Sequence, residues 1–134
     1  MGNPHFDVLP PAAQTLGREI VSVDKDSGEV RVRFTARPDF VNRHGTVQGG
    51  FLAAMLDSAT SCAVFERLAP EMTALTTRLE TEFLRPVAAG EILAVARLTF
   101  LEGRDARSEA EILGVDGKPS VRANASFRVL ARKA

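Results

Sequence analysis

Asn42-Arg-His-Gly-Thr-Val-Gln-Gly-Gly-Phe-Leu-Ala-Ala-Met-Leu-Asp57 is a polar, glycine-bearing loop that runs straight into an apolar segment. Small and apolar residues continue as far as Phe65, and from Gly49 to Phe65 the one formal charge is Asp57. A surface helix carries Lys, Glu or Arg along its outer face. This segment carries none, so it predicts a helix over about 49–67 with most of its circumference buried. A carboxylate on such a helix is costly unless it is paired, hydrogen-bonded or protonated. Asp57 is therefore the first candidate for chemistry.

The flanking patterns say what buries the helix. Residues 10–16 suit a short helix with proline in its first turn. Residues 19–24 alternate, Lys25-Asp26-Ser27-Gly28 is a turn, and residues 29–36 alternate strictly. That is an antiparallel hairpin. A loop over about 39–48 leads into the helix, and Pro70 lies beyond its end. Beyond that, every segment reads as strand. Residues 73–84 place Leu75, Thr77, Leu79, Thr81 and Phe83 at alternate positions. Residues 91–101, 107–115 and 120–130 follow, separated by turn-forming glycine, proline and aspartate.

The expected order is two strands, one helix, then four strands in meander order. This is an α+β single domain over residues 1–134, a long curved antiparallel sheet wrapped around one central helix. One curved sheet covers one side of a helix only. The other side calls for a second copy, so a homodimer is expected.

Bulk properties narrow the function. With 134 residues and 45% apolar content, a real core can form. Lys+Arg and Asp+Glu both number 17, and this balance argues against nucleic acid as the main partner. The single cysteine, Cys62, builds neither a disulfide framework nor a four-ligand zinc site within one chain, and reads as a small buried hydrophobe. The N-terminus lacks a basic start followed by an apolar run, and no apolar stretch approaches the roughly 20 residues needed to cross a bilayer. A cytoplasmic protein without membrane partners is expected.

The opening stretch holds the candidate site. Gly49 and Gly50 sit at the predicted helix start, where backbone N–H groups lack intrahelical partners and the dipole is positive. Without a Cβ, both admit close approach of a ligand, as an oxyanion site requires. The same glycines also suit a plain tight turn. Asp57 lies about two turns further on, sharing a face with Ala53, Ala54, Thr60 and Ser61. Asn42 and Gln48 add neutral donors and acceptors in the loop. His44 has no carboxylate or second histidine at ligand spacing, and no metal site is expected.

Taken together, Asn42, Gly45, Gln48-Gly49-Gly50 and Asp57 resemble the motif of hotdog-fold acyl-CoA thioesterases of the phenylacetic-acid-degradation (PaaI-type) group. Leu84-Arg85-Pro86 and Gly90-Glu91 resemble that family's third strand and following turn. The resemblance implies a hotdog fold and hydrolysis of an acyl-CoA, of the aryl (phenylacetyl) or medium-chain type, to free acid and CoA. Coenzyme A enters as part of the substrate, and no separate cofactor is implied. It implies that Gly49 N–H polarises the thioester carbonyl, that Asn42 or Gln48 positions it, and that Asp57 acts as general base or nucleophile. It further implies a hydroxyl from the strand after the helix, at Thr76, with Thr77 as its nearest rival. The site would lie between subunits of a homodimer or dimer of dimers. Gly50, Arg85, Arg104 and Arg107 are candidates for holding CoA, and Phe51, Leu52 and Met55 for lining an acyl pocket. The family usually has histidine where this chain has Gln48, which cannot act as an acid or base near neutral pH. Base chemistry thus falls to Asp57. Two other readings remain: a non-catalytic acyl-CoA-binding hotdog protein, and a hotdog hydratase/dehydratase, which would need a catalytic histidine paired with an acid.

Overall fold

The computed structural model describes residues 2–133. Strands β1 (Glu19–Val23) and β2 (Val30–Ala36) form the expected antiparallel hairpin, with Glu19 opposite Arg33 and Val23 opposite Val30. A short helix α1 (Pro11–Thr15) precedes it. The central helix α2 spans Gly49–Glu66, with Arg67 as its C-cap. Strands β3 (Met72–Phe83), β4 (Gly90–Glu102), β5 (Asp105–Leu113) and β6 (Pro119–Ala131) complete the chain.

All six strands join one antiparallel sheet in the order β1-β2-β4-β5-β6-β3. The meander expected after the helix holds for β4, β5 and β6 but not for β3. Helix α2 is about 27 Å long at 1.5 Å per residue. It carries the chain across the concave side of the sheet to the far edge, where β3 pairs with β6. Strand β4 then returns to take the place beside β2.

The sheet face under the helix is floored largely by small side chains. Ala94, Ala96, Ala110 and Ala123 lie in one buried cluster with Leu52, Met55, Leu56, Ala59, Cys62 and Ala63 of α2. Small residues on both sides let helix and sheet approach closely. Val32, Phe34, Ile112 and Val121 fill the space around them. A second cluster of Val64, Leu68, Ala125, Phe127 and Val129 closes the C-terminal end of the helix. The outer sheet face is charged, with Arg97 bridging Glu29 and Glu109 and Arg33 reaching Glu91. Such partly exposed pairs add little stability and keep that face solvated. Among the described residues, no helix is long and apolar enough to cross a membrane.

Cys62 is 1% exposed within the main cluster. Burial pushes its thiol up to about 11, a shift only partly offset by the positive charge of Arg18. We predict that native protein gives no reaction with a soluble disulfide reagent at about pH 8, where a free thiol reacts readily. One thiol per chain should become reactive on unfolding. Titration of native protein to one equivalent would contradict this packing.

Candidate active site

The loop before α2 is built around Asn42. Its side-chain oxygen accepts from His44 N–H at 2.9 Å and Thr46 N–H at 3.3 Å, while its backbone N–H reaches Thr46 O at 2.8 Å. Gly45 takes φ +82°, a left-handed conformation that suits glycine. Val47 N–H then bonds Val87 O at 2.8 Å, and Gln48 N–H bonds Phe40 O at 2.9 Å. Asn42 thus holds the turn with its oxygen, and the loop delivers Gln48 as a fixed N-cap.

Phe51 and Leu52 N–H groups both donate to Gln48 O, at 2.9 and 3.3 Å. The Gly49 and Gly50 N–H groups take no backbone acceptor among the described residues. The Gln48 side chain makes no cap hydrogen bond and stands exposed. The helix start therefore offers free donors at its positive end, with the Gln48 amide beside them.

The candidate carboxylate lies on the same helix. Asp57 is half-buried, and its Oδ1 accepts a hydrogen bond from Thr76 Oγ1 at 2.7 Å. No lysine or arginine forms an ion pair with it among the described residues, which leaves Oδ2 free to act as an acceptor. Asp57 belongs to a stripe of accessible positions running through Gly50, Ala53, Ala54, Ser58 and Ser61. Thr60, expected on that stripe, is instead fully buried and donates back to Leu56 O and Asp57 O. Arg18 takes a place on the stripe, donating to Ser58 Oγ at 3.1 Å.

Thr76 meets Asp57 because β3 is bulged. Thr76 pairs with Phe127 and Arg78 with Ser126, which leaves Thr77 as the extra residue. A simple alternation would turn Thr77 inward together with Leu79. The bulge shifts the phase, so that Thr76 faces the helix and Thr77 lines a hollow on the outer face. A second bulge, between Leu98 and Phe100 of β4, lies on the same line across β5 and β6. Aligned bulges increase local twist and bend, and here they curl the sheet around the middle of α2.

The remaining candidates disperse. Phe51 stacks on Phe40 with ring centroids 4.0 Å apart, and Met55 is fully buried in closed core. Of the three expected pocket residues, only Leu52 lines the cavity beside Gly49. That cavity, about 360 Å³, is also walled by Val47, Phe83, Leu84, Pro86 and Val87. Leu84 and Pro86 belong to the Leu84-Arg85-Pro86 stretch singled out in the sequence, and Phe83 directly precedes it. Arg85 borders the same cavity, but its guanidinium is held by Asp116 at 2.7 and 3.0 Å. Arg104 is exposed in the β4–β5 turn. Arg107 stacks over Phe100 beside an outer-face hollow, across the sheet from Asp57. Among the described residues, no cluster of three or more His, Cys, Asp or Glu is placed to hold a metal.

A curved antiparallel sheet around a single glycine-started helix, with a carboxylate two turns along, defines a hotdog-fold protein. The chain belongs to the thioesterase superfamily, whose family model matches residues 44–120. A solved structure from Ralstonia eutropha, described as a candidate thioesterase related to phenylacetic acid degradation, is 34% identical. The match covers 93% of this chain and 95% of that one, with a TM-score of 0.85. A variant of the phenylacetic acid degradation protein PaaI from Thermus thermophilus is 28% identical, covering 89% of this chain and 98% of that one at a TM-score of 0.76. The Escherichia coli PaaI protein, 24% identical over 91% of this chain and 86% of its own, shares the fold at a TM-score of 0.80. Among curated proteins, an uncharacterized protein of Schizosaccharomyces pombe is 29% identical over 96 residues, 71% of this chain. The match spans 54% of that protein's length. The family resemblance read from Asn42, Gln48-Gly49-Gly50 and Asp57 therefore holds.

The Arg85–Asp116 pair can be tested separately. Asp116 is brought down to about 2 from the ordinary 3.8, first by the Arg85 hydrogen bond and then by the Lys118 N–H. A depressed carboxylate favours the folded state above the ordinary value and loses that contribution as pH falls through about 2. We predict an Asp116 midpoint near 2 in a carboxyl-carbon NMR titration, moving up toward 3.8 in R85Q. An unmoved midpoint would remove Arg85 as the cause.

Proposed function

We propose that this protein hydrolyses acyl-CoA thioesters to free acid and CoA, with Asp57 as the base. The observation that carries the reading is the Thr76–Asp57 hydrogen bond of 2.7 Å on a helix whose other formal charge is Glu66 at its far end and which begins with free N–H donors. Oδ1 is held by Thr76, so Oδ2 is the atom that takes a proton from water. The resulting hydroxide attacks the thioester carbonyl carbon. The carbonyl oxygen gains charge and is met by the Gly49 N–H, with the Gly50 N–H close by and the Gln48 amide positioning the group. Collapse breaks the C–S bond, and the proton passes from Asp57 to the departing CoA sulfur. The same geometry also serves direct attack by Asp57, in which case an acyl-enzyme precedes water attack.

Gly49 and Asp57 of one chain lie about 12 Å apart along the helix. No single carbonyl reaches both, so the reading places the site between two copies. Two features support that arrangement. The open stripe through Gly50, Ala54 and Asp57 needs cover, and β3 is a free sheet edge. From Met72 to Thr77 that edge carries no charge, and Leu75 is 57% exposed. Uncharged edges of this kind are templates for pairing with another strand. A homodimer joined along β3, alone or paired into a dimer of dimers, is the proposed assembly.

Arg85 is the cation nearest the Gly49 cavity and is the proposed partner for a CoA phosphate. Arg104 and Arg107 reach CoA only if its nucleotide end extends to the outer face. The acyl group proposed is aryl, phenylacetyl-like, or medium-chain, and the apolar cavity beside Gly49 supports either. A cytoplasmic enzyme with no cofactor beyond its substrate's CoA completes the proposal.

The test is thiol release over a panel of acyl-CoAs, with variant enzymes. D57A should lose roughly 10²–10⁴-fold in kcat while remaining dimeric. T76V should lose roughly ten- to a hundredfold, the scale of one hydrogen bond to a charged group, whereas T77V should stay close to wild type. Wild-type rates in D57A would sink the assignment. Tight acyl-CoA binding without thiol release would favour the non-catalytic binding protein instead.

A further inference from the structure

Phe83 is the last residue of β3 and 52% exposed, a large aromatic at the free edge of the sheet. Its ring lies across the first turn of α2. A Cβ added to Gly49 would meet Phe83 Cε1 at 3.4 Å and Cζ at 3.5 Å. The ring therefore occupies the space directly beside the Gly49 backbone, and it forms one wall of the 360 Å³ cavity there.

Backbone hydrogen bonds hold the segments that carry several of the other walls. Val47 N–H is bonded to Val87 O at 2.8 Å. Leu84 and Arg85 N–H groups both bond Ser120 O, at 2.8 and 3.0 Å. Leu52 is buried on the helix itself, 3% exposed. Phe83 is the aromatic member of the lining and stands 52% exposed, with Leu84 beside it at 45%. The cavity is otherwise lined by Val, Leu and Pro side chains, with Thr46 and the already engaged Arg85 as its polar exceptions. Such a lining takes an apolar group, and an aromatic wall adds stacking or edge-on contact for a flat one.

We propose that Phe83 sets the acyl specificity of this protein: its ring limits how long an acyl group can lie in the cavity beside Gly49, and favours flat aryl groups. The inference rests on the thioester-hydrolase reading above. A hydrophobic pocket discriminates by roughly tenfold or more for each methylene-scale change in fit, so the effect is measurable as a ratio of kcat/KM values.

The experiment compares wild type, F83A, F83L and F83W on butanoyl-, octanoyl-, palmitoyl- and phenylacetyl-CoA, with dimer state checked for each variant. F83A should raise the palmitoyl-to-butanoyl ratio by about tenfold or more and lower the phenylacetyl-to-octanoyl ratio. F83L should move both ratios in the same direction by less, and F83W should lower the palmitoyl-to-butanoyl ratio. Because F83L keeps an apolar side chain at the edge, it serves if F83A does not fold. Unchanged ratios in folded, active F83A or F83L overturn the inference while leaving the hydrolase reading intact. A wild-type protein that releases no thiol overturns the hydrolase reading and this inference with it.

Discussion

The packing of an almost uncharged helix into a hollow floored by alanine is the constraint from which the rest of the structure follows. Ala94, Ala96, Ala110 and Ala123 leave α2 room to sit close to the sheet, and Leu52, Met55 and Leu56 fill the gap. Each fully buried side chain of that size contributes about 1.5–3 kcal/mol of transfer free energy. Close packing fixes the rotation of α2 about its own axis, and that rotation decides which helix residues reach solvent. Asp57 lies on the open side, where a carboxylate costs little, while Thr60 is turned inward and must bond the helix backbone.

The same packing leaves one side of the helix uncovered by the sheet. One sheet wraps one side of the helix, so the stripe through Gly50, Ala54, Asp57 and Ser58 stays accessible. The displaced strand β3 becomes an edge rather than an interior strand. Open stripe and open edge lie beside each other, joined by the Thr76–Asp57 hydrogen bond. In the proposed mechanism, an aspartate two turns beyond the N–H donors on a rigid helix cannot share a substrate carbonyl with them. Rigidity, which places each half well, is also what separates the two halves.

Much of this was legible in the residues. The absence of charge from Gly49 to Phe65 announced the central helix, and strict alternation in residues 29–36 announced the hairpin. Gly49 stands at the helix start that the glycine pair predicted, and its N–H takes no backbone acceptor among the described residues. The residues lining the cavity beside Gly49 were less legible. Phe51 and Met55 have the right chemistry for a pocket wall, but helix rotation commits one to Phe40 and the other to the closed core. Arg85 looks like an available phosphate partner, yet it is clamped to Asp116, a residue 31 positions away that no local pattern connects to it. Phe83 shows in the sequence only as one of the alternating positions of residues 73–84; its place against Gly49 arises from strand order.

What the sequence by itself determined is local: the helix and its glycine start, the one carboxylate in its middle, the strands and the turns between them. These depend on periodicity, on missing side chains and on where charge is absent along the chain, all of which act over a few residues; the cost of burying Asp57, expected from the sequence, is small because the helix turns it to the open side. What only the tertiary structure decided is phase and neighbourhood. Alternation in β3 points to Thr77, and one extra residue in the ladder gives Thr76 to Asp57 instead. A bulge reverses every side chain on one side of it, and its position is set by pairing with β6 and by the bend needed to wrap α2. That pairing joins residues about fifty positions apart in the chain, so no local reading of β3 contains it.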